Sequence, residues 1–336
     1  MEENVILLDH GSGGKIAHRL TTGLLLPALE NPLLAQLNDG AVLEIGNSRL
    51  AFSTDTFTVD PIFFPGGDIG ELAVNGTVND LAMCGAKPLY LSLALIMEEG
   101  LPLDDLKKIM ASIRRAADKA GVQVVTGDTK VVPRAAADKI FINTSGIGVI
   151  PEGIDIGGQR ATVGDKVIIS GTMADHGITV MLQRQEMSFE TNIKSDTAAL
   201  NHMVTRLLAA APGVHVLRDP TRGGVGTTLN EIAQQAGVGI RIREEALPLD
   251  PEVAGVCELL GFDPLYLANE GKLLCLVPAA QAEAALEAIC QDPCGRKAAI
   301  IGEVVDDHPG RVVLETAIGG RRIIDMLAGE QLPRIC

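Results

Sequence analysis

The chain has 336 residues, 46% hydrophobic and 21% charged, with a formal net charge of −15 at pH 7. That length suits two domains with full cores, and so acidic a chain repels a polynucleotide backbone, which argues against nucleic-acid partners. Aromatics are only 3%, with no tryptophan, so stacking platforms for single strands are lacking, and no stretch approaches the ~18 apolar residues of a membrane span.

MEENVILLDHGSGG has an acidic head and an apolar run too short for a signal peptide. The cytoplasm is therefore the expected address, and the six cysteines are expected to be reduced. Cys290 and Cys294, four apart, make only a weak zinc signal. GSGGK at 11–15 lacks Walker spacing. It reads either as a plain loop or as a nest in which Gly13 and Gly14 offer N–H groups and Lys15 a charge, folding over a phosphate as a lid.

AVLEI and RLAFSTDTFTV then read as paired strands. GDIGELAVNGTVNDLAMCGA has helical spacing, PLYLSLALIM is a buried strand, and LPLDDLKKIMASIRRAADKAG is a helix opened by proline and closed by glycine. VQVVTGD and KIFINTSGIGVI supply two more strands. A polar, glycine-rich segment marks a boundary near Pro151. Beyond it KVIISG begins a second set, with helical patterns at HGITVMLQRQ, TAALNHMVTRLLAAA, GVGTTLNEIAQQAG and AAQAEAALEAIC and strands at GIRIR, KLLCLVP, AAIIGEV and RVVLET. Without strict strand–helix alternation, the expectation is two α+β domains, 1–150 and 151–328, with a mobile tail at 329–336.

Four aspartates stand out at expected element ends: Asp39 in NDGA, Asp55 in STDTF, Asp80 in VNDLA and Asp128 in TGDTK. Asp80, beside Asn79, falls within a pattern that reads as a buried helix, where an unpartnered charge costs several kcal/mol and implies a metal or hydrogen-bonded partner. Together they suggest Mg²⁺ carrying a polyphosphate; singly, each also fits a cap or turn. In DPTRGGVGTTLNEIA a double glycine opens a helix beside Arg222, where a phosphate or oxyanion would dock. Glu270 in NEGK is either a base or a turn carboxylate. The six histidines are scattered without metal spacing. Finally the chain ends LPRIC, and a terminal thiol is expected to be accessible because termini fray.

The stretches STDTFTVDPIFFPGGDIGELAVNGTVNDLAMCGAKP, TGDTKVV, INTSGIG, RDPTRGGVGTTLNEIA, ANEGK and the closing PRIC resemble the HypE family of hydrogenase maturation proteins, within the ATP-binding superfamily of aminoimidazole ribonucleotide synthetase. The resemblance spans residues 1 to 336, and PRIC narrows it from superfamily to family. It implies that Cys336 is a covalent carrier: a carbamoyltransferase, HypF, loads a carbamoyl group on the thiol, ATP drives its dehydration to a thiocyanate, and HypC and HypD receive the cyanide for a nickel-iron hydrogenase. By the same resemblance Asp55, Asp80 and Asp128 bind Mg²⁺ and ATP, with Asp39, Asn79 and Asn143 assisting and Gly13, Gly14 and Lys15 in the glycine loop. Glu270 and Lys130 would flank the amide, with Glu270 as base. A homodimer built by pairing N-terminal sheets is implied as well. Other superfamily members fit less well: selenophosphate synthetase would place a cysteine or selenocysteine in the glycine-rich head, where HGSGGK offers only Ser12. A non-catalytic scaffold is the remaining alternative, against which stand buried carboxylates that a scaffold would not need.

Overall fold

A computed structural model describes residues 5–29, 31–184, 191–329, 332 and 334–336; Pro333, expected to stiffen the tail, lies outside them. After a helical head, α1 (Gly14–Leu20) and α2 (Leu26–Leu29), the first half runs β1 (Ala41–Ile45), β2 (Ser48–Phe57), β3 (Phe63–Phe64), β4 (Gly67–Asp68), α3 (Ile69–Met83), β5 (Lys87–Glu98), α4 (Leu103–Ala120), β6 (Gln123–Val132) and β7 (Ile140–Ile150). The second half runs β8 (Lys166–Ile169), α5 (Asp175–Arg184), α6 (Asn201–Ala210), β9 (Val216–Arg218), α7 (Gly224–Ala236), β10 (Gly239–Arg243), α8 (Pro251–Leu260), β11 (Leu274–Val277), α9 (Ala282–Cys290), β12 (Ala299–Val305), β13 (Val312–Glu315) and β14 (Arg321–Ile324).

These elements form two α+β halves. The first holds a five-stranded sheet in the order β1-β2-β7-β5-β6, the second a seven-stranded sheet in the order β14-β13-β10-β12-β8-β11-β9. Among the described strands only β5–β6 and β10–β13 pair in parallel; neighbouring antiparallel strands need only tight turns, whereas α4 supplies the crossover between β5 and β6.

The helix α3 positions the site. Asp68 caps it, its carboxylate accepting from the N–H groups of Gly70 and Glu71. Apolar residues surround it on every side, so it is buried nearly throughout. One side lies on the first sheet, where Thr144 donates to the Ala73 carbonyl at 2.8 Å. Its far side meets the second half, and the core around it takes in Val180, Ala268 and Ile335 from beyond residue 150. The two halves therefore share a seam, and the carboxylates of interest sit along it.

The strand reading of TGDTK needs extending. β6 continues from Gln123 through Val132, so Asp128 and Lys130 lie within an edge strand and not at its end. The helix α8 was missed, although its signals are plain: Asp250 caps it, Pro251 occupies the first turn and Gly261 closes it with φ 73°. Its apolar residues run nearly all round, which hid the periodicity.

Candidate active site

The last residues of the chain lie in the seam. Each of their three carbonyls is held. The Cys336 carbonyl accepts from the Thr58 N–H at 2.9 Å and, at 3.3 Å, from the Thr58 hydroxyl. The Ile335 carbonyl meets His176 Nε2 at 2.7 Å, and the Arg334 carbonyl accepts from Arg184 at 2.8 Å and from the Asp60 N–H at 3.3 Å. The Arg334 side chain returns a bond to the Thr58 carbonyl at 2.9 Å and pairs with Asp138. Ile335 is buried in the α3 core. The thiol expected at a fraying terminus is therefore half-buried, because backbone pairing and one apolar anchor tie the terminus down.

Cys336 borders a cavity of about 200 Å³ together with Thr56, Thr58, Arg222, Gly223 and the glycine-rich head at Gly11 and Ser12. Burial pushes its thiol pKa up, opposed by the Arg222 guanidinium and reinforced by Glu270, Asp55 and Asp219. Arg222 in turn is held charged chiefly by Cys336, then by Asp55, Glu270 and Asp80. Thiol, arginine and carboxylates thus form one electrostatic unit.

Glu270 is 3% exposed, and its Oε1 has no hydrogen-bond partner among the described residues. Burial raises its pKa well above the usual carboxylate range, and Asp55, Asp196 and Asp219 add to the rise. Its neighbours hold it in place. Asn269 accepts from the Ala174 N–H at 2.8 Å and donates to the Pro220 carbonyl at 2.9 Å, tying three loops together. Asp196 accepts from the Glu270 N–H at 3.0 Å while paired with buried Lys272, also at 3.0 Å. A Cβ on Gly271 would lie 1.8 Å from the Asp196 carbonyl oxygen, so only glycine permits this approach.

Three of the expected aspartates gather here with one that sequence reasoning did not single out. Asp55 lies against α3, 3.5 Å from where a Cβ on Gly76 would stand. Asp80, on α3, accepts from Ser53 at 2.5 Å. Burial drives its pKa well up, as do Asp219, Asp55 and Asp39. Burial also raises Asp39 to about 6 against its ion pair with Arg218 at 2.6 Å. Asp219 is raised well above the normal range, first by burial and then by Asp39. The signal for Asp219 was its place in DPTRGG, one residue after Arg218.

Both ends of the Asn79 amide are engaged by the second half: it accepts from the Leu200 N–H at 2.8 Å and donates to the Ala198 carbonyl at 3.0 Å. Asn143 bridges strands, donating to the Asp55 carbonyl at 2.8 Å and the Thr56 hydroxyl at 3.0 Å. Lys15 pairs with Asp325 at 2.5 Å. Gly13 and Gly14, with φ of 75° and 76°, pack against the backbone of Arg222 and Leu327. Asp128 and Lys130 pair with each other at 2.7 Å on the exposed edge strand β6, which β7 and β5 separate from β2, the strand of Asp55. The histidines, dismissed on spacing, include one at the heart of the site: His176 is fully buried and holds the tail.

Five carboxyls, at Asp39, Asp55, Asp80, Asp219 and Glu270, thus have their pKa raised first by burial, and their neighbours in the group add to the rise at Asp80, Asp219 and Glu270; Asp39 Oδ2 and Glu270 Oε1 lack hydrogen bonds among the described residues. Hard oxygen donors with surplus negative charge fit a divalent cation such as Mg²⁺, although no three described side chains are already gathered at metal-holding distance. Among the described residues no helix is long and apolar enough to cross a membrane.

Residues 37–150 match the family model of the AIR synthase related protein N-terminal domain and residues 162–315 that of its C-terminal domain. The chain is 52% identical, over 330 residues covering 98% of it and 94% of the relative, to the carbamoyl dehydratase HypE of Cupriavidus necator. It superposes on a crystal structure of a HypE–HypF complex with a TM-score of 0.88 at 49% identity, covering 92% of this chain and 99% of that one. Against HypE in complex with ATP the TM-score is 0.84 at 53% identity, with 99% and 100% covered.

Proposed function

Because the chain belongs to the AIR synthase related family and, within it, to the HypE carbamoyl dehydratases of hydrogenase maturation, we propose that Cys336 carries the carbamoyl group it dehydrates and that the seam around α3 is where ATP drives the reaction. The enzyme binds ATP and converts a carbamoyl group toward the cyanide ligands of a hydrogenase. The observation that carries the residue assignment is the docked tail, which brings the thiol into the electrostatic unit of Arg222, Glu270, Asp55 and Asp219.

The residue types follow from the chemistry. In Cys336 Sγ–C(=O)–NH₂ the oxygen cannot leave as oxide. Its attack on the γ-phosphoryl group of ATP, with loss of one N–H proton, gives ADP and an S-bound iminophosphate. Loss of phosphate and of the second N–H proton leaves Sγ–C≡N. Two protons thus need an acceptor beside the sulfur, and a buried carboxyl with a raised pKa, once ionised, is a strong one; Glu270 fits that role. Arg222 is placed to hold the oxygen and then the phosphate as charge builds on them. The cavity has room for a small group on sulfur. Asp55 and Asp80, with Asp219, would hold Mg²⁺, which when bound with ATP neutralises phosphate charge.

Asp128 and Lys130 need a second copy of the chain to contribute. The outer face of the first sheet exposes Phe52, Tyr90, Ile96, Val125 and Ile147 across four strands. An apolar face that size argues for a partner. A homodimer pairing these sheets would bury it and offer the Asp128–Lys130 pair of one copy to the cleft of the other. We also place the protein in the cytoplasm, with a HypF-type carbamoyltransferase as donor and HypC and HypD as cyanide acceptors; delivery to either requires the tail to leave the seam, and about eight residues reach up to ~29 Å when extended.

Phosphate release by the HypF-loaded protein tests the reading. Release should depend on a carbamoylated tail and vanish in Cys336→Ala. Turnover of ATP unaffected by that substitution would refute the carrier role, and no turnover with a loaded tail would leave a scaffold.

A further inference from the structure

His176 opens α5 and is buried between the tail and Phe64, whose ring meets it edge-on with centroids 5.5 Å apart. Its two nitrogens face different partners. Nε2 lies 2.7 Å from the Ile335 carbonyl and Nδ1 lies 2.8 Å from the Ser195 hydroxyl. A carbonyl only accepts, so Nε2 carries the hydrogen. Burial lowers the pKa of the ring and keeps it neutral, which leaves Nδ1 as acceptor for the Ser195 hydroxyl. That hydroxyl oxygen accepts in turn from the Thr197 N–H at 3.1 Å. The tautomer is thereby fixed from behind, and the ring presents one aimed donor to the tail.

We infer that His176 is a positioning residue for the dehydration: its Nε2–H latches the penultimate carbonyl and so sets where the Cys336 sulfur stands between Glu270 and Arg222. The main-chain oxygen of Cys336 is held by the Thr58 N–H and hydroxyl, and that of Arg334 by the Asp60 N–H and the long side chain of Arg184. Only the Ile335 carbonyl, adjacent to the carrier residue, is held by a rigid ring with no freedom to follow if the tail shifts. Releasing the tail for loading then breaks one aimed, buried bond, and redocking remakes it at a single depth.

Alkylation of Cys336 by N-ethylmaleimide, followed by peptide mass mapping in the full-length protein, reports docking without reference to the reaction. His176→Phe keeps a buried ring but removes the donor, and loss of such a bond should raise the alkylation rate of Cys336 about tenfold. His176→Gln returns an N–H near the Nε2 position and should stay within about threefold of wild type on the same scale. In protein carbamoylated beforehand, His176→Phe should lower the single-turnover dehydration rate about tenfold with the ATP concentration dependence unchanged, and His176→Gln should rescue it. Should His176→Phe fail to fold, Ser195→Ala, which frees the tautomer, should raise alkylation severalfold. Unchanged alkylation in the folded variants, or equal effects of Phe and Gln, overturns the latch. This inference rests on the carrier reading only in its kinetic arm: a wild-type protein that does not dehydrate its tail would refute that reading while alkylation still decides on His176.

Discussion

Replacing Asp39 by asparagine should abolish one contribution to the pH dependence of stability. Asp39 is buried, and burial lifts its carboxyl pKa from 3.8 to about 6 against the pull of Arg218. Well below pH 4 the group is protonated in folded and unfolded chains alike. As pH rises from about 4 to about 6 the unfolded chain releases the proton first, so ionisation weighs against the fold and this contribution to stability is lost with rising pH. A displacement from 3.8 to about 6 corresponds to about 3 kcal/mol. Asparagine does not titrate, and Arg218 keeps its bond to Glu231 at 2.8 Å. The unfolding free energy of wild type minus Asp39→Asn, from chemical denaturation of the nucleotide-free protein at several pH values, should therefore fall by about 3 kcal/mol between pH 4 and pH 7. The subtraction removes the surface carboxylates whose pKa is lowered by partners, such as Asp138 and Asp325, which tilt the curve the other way. A flat difference, or one that rises with pH, would refute the assignment of Asp39 to an unrelieved acidic group.

Other substitutions separate the parts of the site. Gly271→Ala forces a methyl to within 1.8 Å of the Asp196 carbonyl, so backbone beside Glu270 must move; a loss of about 1–3 kcal/mol in unfolding experiments is expected, with a dehydration rate down about a hundredfold. Glu270→Gln keeps the volume and removes the base, so single-turnover dehydration should fall at least about a hundredfold while loading of Cys336 continues. Asp80→Asn relieves a buried carboxyl crowded by Asp219, Asp55 and Asp39, and should raise the melting temperature of the nucleotide-free protein while weakening Mg²⁺-dependent ATP binding, both readable by differential scanning calorimetry. Val125→Glu, on the exposed sheet face, should yield a monomer by sedimentation that has lost ATP turnover; an active monomer would contradict the shared cleft.

Much of the first half was legible because its signals are local. α4 carries proline at its start and glycine at its end, and β2 and β7 alternate as half-buried strands do. The suspicion about Asp80 came from the same source: a charge inside an apolar helix pattern has few explanations. The tail was legible only as a thiol at the end of the chain. That it docks depends on the Thr58 backbone, Arg184 and His176, separated from it by up to 278 residues, and no local pattern encodes such pairing. His176 was invisible for that reason, since its partners are a backbone carbonyl and a hydroxyl and form no ligand spacing. Asp128 and Lys130 show the converse. Their motif was read, yet the strand they occupy faces outward, so a role in the cleft depends on assembly and not on the fold of one chain.

The most direct test of the account is an intact-mass spectrum of the protein incubated with carbamoyl phosphate, ATP and a HypF-type partner, before and after fresh Mg²⁺ and ATP, with Cys336→Ala alongside. The account predicts a carbamoyl adduct on Cys336 that loses one water only when Mg²⁺ and ATP are both present. An adduct that forms equally on the alanine variant, or one that never loses water, would contradict it.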